Sequence, residues 1–274
     1  MKWYFAINEI SLTRKFFGWE DMIRVAIESA RQNTTLQPYL IYDGKPNDFT
    51  REIVGQGVTI IPHRVSFYPS LQAFSELPTT RDHWAGQYMM GAGAFLRTEI
   101  PLIEREDEFA FYTDCDVMFL YEPTVEPCPE PFAVSLETAE KQFHINTGVM
   151  QMNLPRLRES FPKFRNYICD NLNHFTFYDQ CAYQDFYRGQ SATLPFEMNW
   201  RPAMGMNDKV KIVHWCGPKP ETVRRMLAGD MEVPWPLWLQ DFVRAENKKD
   251  DIYRRYLAVW DEFLNTYVAY MPLS

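Results

Sequence analysis

Apolar segments and amphipathic segments alternate in the N-terminal part of this chain, and this alternation constrains the fold more than any other feature. Residues 3–7 and 39–42 have the length and apolar character of buried strands, and residues 19–32 between them carry apolar side chains at helical spacing. A second helix over 49–54 and a third strand over 58–61 are predicted next. This β-α-β-α-β order predicts a parallel, doubly wound α/β sheet.

Further helices and strands are predicted along the rest of the chain. The predicted helices are 84–102, 155–171 and 179–187, and strands are predicted within 109–120 and over 133–136 and 149–152. From about Glu221 the chain is predicted to be helical and rich in aromatic residues. We therefore expect an α/β domain over residues 1–220 and a helical extension over residues 221–274 that packs on it.

Charge and cysteine content narrow the classes of partner. The net charge of −8 repels nucleic acid phosphates, so a nucleic-acid partner is not expected. Five cysteines without a C-x-x-C motif do not predict a disulfide framework or a zinc site. No stretch approaches the roughly 20 apolar residues that span a bilayer. We predict a cytoplasmic protein, and leave open association with a membrane surface and assembly into a homo-oligomer.

Two carboxylates one residue apart, Asp114 and Asp116, interrupt the apolar run 109–120. Carboxylates are not buried without a partner, so this position predicts a place where a cation binds. Mg²⁺ and Mn²⁺ prefer oxygen ligands, and they join one or two carboxylates to substrate phosphates. The alternative interpretation is a solvated turn, since such a pair also arises by chance. His214, which closes the apolar run from Val210, is a second candidate ligand.

Polar side chains follow several of the predicted strands. Ligands of doubly wound sheets bind beyond the carboxyl ends of the strands. Asn8, Asp43, Asp114 and Asp116 are therefore predicted to lie along one rim of the sheet.

Short motifs occur in a fixed order over about residues 3–220. They are Phe5-Ala-Ile-Asn8, Phe95-Leu-Arg97, Tyr112-Thr-Asp114-Cys-Asp116, Asn146-Thr-Gly148, Tyr178-Asp179-Gln180 and Val213-His214-Trp-Cys-Gly217-Pro-Lys219-Pro220. In this set and order the chain resembles the GT-A glycosyltransferases of family eight, which include glycogenin and lipopolysaccharide galactosyltransferases.

The resemblance implies a fold, a reaction and a set of site residues. The fold is a Rossmann-like, mixed and mostly parallel sheet flanked by helices. The reaction is metal-dependent transfer of a hexose from a UDP-sugar to an unidentified carbohydrate, lipid or protein acceptor, with retention. Mn²⁺ or Mg²⁺ is expected on Asp114, Asp116 and His214, and the imidazole ligand favours Mn²⁺. Donor binding is assigned to Ala6, Asn8, Asp43, Arg97, Asp114, Asn146, Gly217 and Lys219, and catalysis to Asp179 and Gln180.

The chain departs from the family pattern at three places. The spacing from His214 to Lys219 is shorter than usual, Glu221 stands where a tryptophan is common, and Cys181 follows Gln180 where an acidic residue is usual. These departures bear on the stereochemistry and on the pose of the donor more than on the metal site.

Several alternatives remain open at this point. A sugar nucleotidyltransferase, or another nucleotide-diphosphate enzyme, would need a glycine-rich loop after the first strand, and residues 8–15 contain no glycine. A non-catalytic nucleotide-sugar-binding module is the third candidate. For single residues, Asp179 could instead cap a helix and Arg97 could form a surface ion pair. The helical spacing of Ile252, Tyr256, Val259, Trp260 and Phe263 predicts packing rather than catalysis.

Overall fold

The computed structural model describes residues 1–13, 18–77, 91–137, 144–229 and 250–270. Its strands are β1 (Lys2–Asn8), β2 (Gln37–Asp43), β3 (Thr59–Pro62), β4 (Phe109–Thr113), β5 (Val117–Phe119), β6 (Phe132–Leu136), β7 (Ile145–Asn153), β8 (Ser191–Thr193) and β9 (Ile212–His214). Its helices include α1 (Glu9–Leu12), α2 (Trp19–Asn33), α3 (Asp48–Gly55), α4 (Tyr68–Ser75), α5 (Ile100–Ile103), α6 (Leu154–Asn171), α7 (Tyr178–Phe186), α8 (Pro220–Leu227) and α9 (Asp250–Ala269).

The chain divides into two compact units. Unit 1 consists of Met1–Thr13, Leu36–Asp114 and Thr124–Pro195, and unit 2 consists of Arg14–Thr35, Cys115–Pro123 and Phe196–Ser274. The expected division of the chain at residue 220 stays a prediction.

Unit 1 is built on a seven-stranded sheet with the strand order β3-β2-β1-β4-β7-β6-β8. Strands β3, β2, β1 and β4 are parallel neighbours, and β7 lies antiparallel between β4 and β6. β8 pairs parallel with β6. The predicted fold class is therefore confirmed: this is a mixed, mostly parallel α/β sheet. The register pairs Asn8 directly with Asp43, which places both at the carboxyl edge of the sheet, as predicted.

Some predicted boundaries need correction. β3 extends through Pro62, where the sequence pattern predicted a stop, because β3 is an edge strand and a missing backbone N–H is tolerated there. β7 begins at Ile145, four residues before the predicted strand, and β8 was not predicted at all. Of the helix predicted over 84–102, residues 84–90 lie outside the described residues. The remainder is helical to Ile103, with a 3₁₀ turn at Leu96–Glu99.

The core of unit 1 is strongly aromatic. Phe132 packs edge-on against Tyr183, with ring centroids 5.1 Å apart, and Phe164 contacts the same tyrosine at 4.8 Å. These rings join helices α6 and α7 to the sheet, because Phe164 lies on α6 and Tyr183 on α7. The packing fixes the start of α7, which carries Asp179.

Unit 2 contains a two-stranded antiparallel sheet, β5 with β9, and the helices α2, α8 and α9. Its core joins Val25 of α2, Met118 of β5 and Trp260 of α9. Tyr256, Trp260 and Phe263 are buried on one face of α9, as their spacing predicted, and the predicted Ile252 and Val259 are partly buried against the same core. The predicted aromatic positions Trp235 and Trp238 lie outside the described residues. Within the described part of the chain, no helix has both the length and the apolar character needed to cross a membrane.

Candidate functional site

A buried arginine organises the rim of unit 1. Arg97 lies on the 3₁₀ turn Leu96–Glu99 and is 4 % exposed, so its alternative reading as a surface ion pair is wrong. Its Nη2 donates to Asp114 Oδ1 at 2.5 Å and its Nη1 donates to the carbonyl oxygen of Thr147 at 2.5 Å. The guanidinium also lies over the Tyr112 ring, 4.5 Å from the centroid. The guanidinium is planar and carries five N–H donors, so it can bind these several partners at once better than a lysine ammonium would.

Asp179 is the second carboxylate held by Arg97. Its Oδ2 lies 3.1 Å from Arg97 Nε and accepts a hydrogen bond from Thr147 Oγ1 at 3.0 Å. The side chain is buried and does not cap helix α7, so the helix-cap alternative is also wrong. Burial raises the pKa of Asp179 to about 6, against the opposing charge of Arg97 and with a further rise from Asp114. This group therefore changes charge near neutral pH.

The backbone before Asp179 is strained. Tyr178 has φ +44°, a left-handed conformation that is uncommon for an aromatic residue. Its ring fits against Gly91, where an added Cβ would lie 2.5 Å from two ring carbons. Strain of this kind costs on the order of 1–3 kcal/mol and persists where the surroundings impose it. The left-handed conformation of Tyr178 determines the direction in which the chain enters the first turn of α7, which carries Asp179 and Gln180.

Other predicted donor contacts occupy the same unit. Asn146 lies at the start of β7, is buried, and accepts a hydrogen bond from Gly148 N at 3.0 Å. Asn8 accepts a hydrogen bond from Ser11 N at 3.0 Å, so its side-chain oxygen caps helix α1. Asp43 pairs with Arg64, whose Nε donates to its two oxygens at 2.9 and 3.1 Å. Ala6 is half-buried on β1.

Unit 2 contributes a compact group of charged side chains. Asp116 is the second aspartate of the D-x-D motif and immediately precedes β5, while His214 is the last residue of β9. Asp116 Oδ1 lies 3.4 Å from His214 Nε2, and Asp116 Oδ2 accepts a hydrogen bond from Lys219 Nζ. Burial alone would raise the pKa of Asp116, but the charges of Lys219 and His214 outweigh it and hold this pKa well below its usual range. Asp116 is therefore an anion throughout the physiological range.

The histidine in this group is oriented by a neighbour that the sequence patterns did not single out. His214 Nδ1 lies 2.8 Å from Asn199 Oδ1, and both residues are buried. An outer hydrogen bond of this kind fixes the ring and directs the other nitrogen, Nε2, toward Asp116. Asn199 follows the 3₁₀ turn Phe196–Met198, in a segment without a recognisable motif, so only the three-dimensional structure reveals it.

The predicted ligand set fits a divalent ion. Asp116 and His214 of unit 2 offer a carboxylate oxygen and an imidazole nitrogen 3.4 Å apart, and Asp114 is the neighbouring carboxylate at the end of its segment of unit 1. Two carboxylates and an imidazole are donors that Mn²⁺ accepts, and Mg²⁺ takes the oxygen ligands. The outer hydrogen bond on His214 is the second-shell contact expected of a metal-binding imidazole.

Three further predicted residues lie on two elements. Gly217 and Lys219 lie on the loop between β9 and α8, and Gln180 lies on helix α7. Gly217 has φ +124°, a conformation that strains any residue with a side chain. It allows the chain to turn from β9 into α8, so that Lys219 immediately precedes the helix. Lys219 Nζ also donates to the carbonyl oxygen of Trp215 at 3.0 Å. Gln180 Nε2 donates to Glu137 at 3.4 Å.

Comparison by sequence finds no relative of this chain. No family model matches it, and no curated protein matches it.

Comparison by structure finds the fold among glycosyltransferases. Galactosyltransferase LgtC, solved in complex with donor and acceptor sugar analogs, matches 90% of this chain and 95% of its own, with a TM-score of 0.58 and 15% identity. Glycosyltransferase GlyE of Streptococcus pneumoniae TIGR4 matches 98% of this chain and 63% of its own, with a TM-score of 0.60 and 14% identity. Mouse xyloside xylosyltransferase 1 matches 78% and 97%, with a TM-score of 0.51 and 13% identity.

These structural neighbours have the GT-A fold, and LgtC belongs to glycosyltransferase family 8. The chain therefore has the GT-A fold, as the ordered motifs implied.

Proposed function

We propose that this chain is a metal-dependent glycosyltransferase that moves a hexose from a UDP-sugar to a carbohydrate, lipid or protein acceptor, with retention at the anomeric carbon. One observation carries the proposal. The buried Asp116 and His214 and the partly buried Lys219 come together on a GT-A fold, with the imidazole oriented by Asn199. Such a combination of anion, imidazole and cation is suited to a nucleoside diphosphate and its metal ion.

Asp114, Asp116 and His214 would hold the ion, and the imidazole among them favours Mn²⁺ over Mg²⁺. When bound, the ion supplies Lewis acidity toward the diphosphate that leaves the sugar. Lys219 adds a fixed positive charge beside Asp116, and preorganised charge of this kind stabilises the leaving oxygen as its own charge develops.

Arg97 acts through the two carboxylates that it holds. Its ion pairs hold Asp114 and Asp179 in defined positions. Because these charges are already in place, no solvent has to reorganise around them during the reaction. We assign Asp179 and Gln180 to the sugar, where Asp179 stabilises positive charge on the anomeric centre or orients the hydroxyls, as carboxylates do in glycoside hydrolysis. Asn146 is assigned to the sugar hydroxyls, and Gly217 to the diphosphate.

The uridine is assigned to the rim of unit 1. Asn8 and Ala6 on β1 are placed at the base, and Asp43, which is paired with Asn8 in the sheet register, is placed at the ribose. An acidic side chain at the end of the second strand is a recurrent partner of ribose hydroxyls in doubly wound sheets. The cytoplasmic location, the membrane-surface association and the homo-oligomer stay predictions.

A donor-hydrolysis screen tests the proposal. Nucleotide sugars with different bases and sugars are incubated with the protein and Mn²⁺, and release of the nucleoside diphosphate is measured. We expect release from a UDP-hexose alone, and a fall of about 100-fold in Lys219→Ala, since loss of a preorganised charge costs about this factor. Lys209→Ala, an exposed lysine of the same unit, is the matched control and should keep full activity. Turnover of no nucleotide sugar, or equal turnover without metal, would refute the proposal.

A further inference from the structure

The loop that follows β3 is anchored within unit 1 on both sides of Arg64. The preceding residue, His63, donates its backbone N–H to Tyr42 O at 3.0 Å, directly beyond the last residue pair of β3 with β2. On the other side, Ser66 donates its backbone N–H and its hydroxyl to Glu99, at 3.0 and 2.8 Å. Glu99 is buried, so these bonds fix the loop to the interior of the unit. The backbone position of Arg64 is therefore well defined.

The side chain of Arg64 is held from two directions at the carboxyl rim of the sheet. Its Nε donates to Asp43 Oδ1 at 2.9 Å and to Oδ2 at 3.1 Å, and its Nη2 lies 2.9 Å from Oδ1. Its guanidinium lies over the Tyr68 ring, 4.3 Å from the centroid. A guanidinium that forms a two-nitrogen ion pair and stacks on a ring is already ordered, so little entropy is lost when a ligand arrives.

The two members of this ion pair are unequally exposed. The side chain of Arg64 is 58 % exposed, whereas that of Asp43 is 8 % exposed. An enclosed carboxylate needs a cationic partner, but an exposed arginine gains little from a surface ion pair. The main effect of the pairing is therefore on Asp43, whose charge is balanced and whose orientation is fixed by Arg64.

The carboxylate of Asp43 keeps capacity for one more donor. An ionised carboxylate has about four lone-pair positions on its two oxygens. Two nitrogens of Arg64 contact Oδ1, but only one contacts Oδ2, at the longer distance. A hydroxyl is a neutral donor that Oδ2 can still accept. Asp43 ends β2 directly opposite Asn8 of β1, at the edge where doubly wound sheets bind nucleosides.

We propose that Arg64 is a positioning residue for the nucleotide donor, which holds the carboxylate of Asp43 in the orientation that accepts a ribose hydroxyl. The inference rests on the proposed function, since it concerns the ribose of the proposed UDP-sugar. Arg64 also balances the negative charge of Asp43, which otherwise repels the diphosphate of the same ligand. A lysine at this position would supply the charge but not the two-nitrogen contact.

Comparing UDP with dideoxy-UDP, which lacks both ribose hydroxyls, tests the proposal. Calorimetric titrations in Mn²⁺ measure the affinity of each ligand for wild type and for Arg64→Met. We expect wild type to bind UDP at least about tenfold more tightly than dideoxy-UDP, because a hydrogen bond to a charged group contributes at least this factor. In Arg64→Met the affinity for UDP should fall toward that for dideoxy-UDP. Both ligands are titrated into one preparation, so a loss of folded protein cancels in their ratio.

Two further variants separate positioning from charge and from general effects. Arg64→Lys keeps the charge and should still bind the two ligands with nearly equal affinity, because an ammonium group cannot reproduce the two-nitrogen contact. Arg51→Met removes an exposed arginine that pairs with Asp48 on α3 of the same unit, and it should keep the wild-type preference. In donor hydrolysis, Arg64→Met should raise KM for the UDP-sugar and leave kcat within about twofold, as expected when ground-state and transition-state binding are lost equally.

The possible outcomes distinguish this inference from the proposed function. If wild type binds UDP in Mn²⁺ but does not prefer it to dideoxy-UDP, the inference is overturned and the proposed function stands. The same holds if Arg64→Met or Arg64→Lys keeps the wild-type preference, or if Arg64→Met lowers kcat without changing KM. If wild type binds no UDP, the inference and the proposed function are both overturned.

Discussion

At the scale of single residues, the clearest lesson of this structure is that charged side chains near the candidate site are buried and paired. Arg97 stands out, because it joins two carboxylates of unit 1 and a backbone carbonyl while being almost fully enclosed. The motif around Arg97 predicted that it meets a donor, yet sequence alone could not show its partners. Asp114, Thr147 and Asp179 lie 17 to 82 positions away in the chain.

Removing Arg97 should destabilise the protein. Arg97→Met leaves the buried Asp179 and the partly buried Asp114 without their cation, and loss of one partner of a buried ion pair costs about 3–5 kcal/mol. Urea unfolding followed by circular dichroism measures this free energy. Arg51→Met is the matched control, since Arg51 forms an exposed ion pair with Asp48 and its removal should have little effect. A loss below about 1 kcal/mol in Arg97→Met would contradict the role assigned to it.

Asp179 should make stability depend on pH. Its folded pKa of about 6 lies above its ordinary value of 3.8, so the folded state binds this proton more tightly than the unfolded state does. The stabilisation is complete below about pH 4 and is lost as the pH rises through 6, by an amount on the order of 3 kcal/mol. The measurement is the free energy of unfolding between pH 4.5 and 7.5 in wild type and in Asp179→Asn. Parallel pH curves for the two proteins would show that Asp179 is not the group responsible.

At the scale of elements, the C-terminal helix α9 is a structural part of unit 2. Its buried face carries Tyr253, Tyr256 and Trp260, and Trp215 of the loop after β9 stacks near Tyr253 with ring centroids 6.4 Å apart. This packing lies next to the loop that carries Lys219. The helix thus supports the candidate site without supplying a charged group to it, in agreement with the periodic pattern of its sequence.

Truncating the central aromatic residue of α9 should show this support. Trp260→Ala removes a buried indole from the core of unit 2 and should cost about 3–5 kcal/mol of stability. The thermal midpoint and the free energy of unfolding in urea are the measurements. Glu262→Ala, at an exposed position of the same helix, should leave both nearly unchanged. Equal stability of the two variants would mean that α9 does not pack as described.

At the scale of the whole molecule, local patterns predict the parallel half of the sheet well. β1, α2 and β2 were predicted within two residues, because each has a strong apolar period and clear polar ends. The antiparallel placement of β7 between β4 and β6 could not be predicted from such patterns. It depends on pairing Phe109 with Asn153, a contact between distant parts of the chain. The fold class was recovered through the ordered motifs.

The candidate site was predicted unevenly for the same physical reason. Asp116 and His214 end apolar runs, so each carries a local signal, and the structure places them 3.4 Å apart. Asn199 has no such signal, since its contribution is a single hydrogen bond to His214. Residues that act through long-range partners are thus the ones that sequence patterns miss.

The central claim is that a divalent ion on Asp116 and its neighbours holds a uridine diphosphate. Calorimetric titration of UDP, GDP and ADP in Mn²⁺, repeated after addition of EDTA, tests it most directly. We predict that UDP binds at least about tenfold more tightly than GDP or ADP, a difference of about 1.4 kcal/mol, and that EDTA abolishes this binding. Asp116→Asn should behave like the chelated protein, while Asp48→Asn, at an exposed position, should bind like wild type. Equal affinity for the three diphosphates, or UDP binding that is indifferent to chelation, would contradict the account.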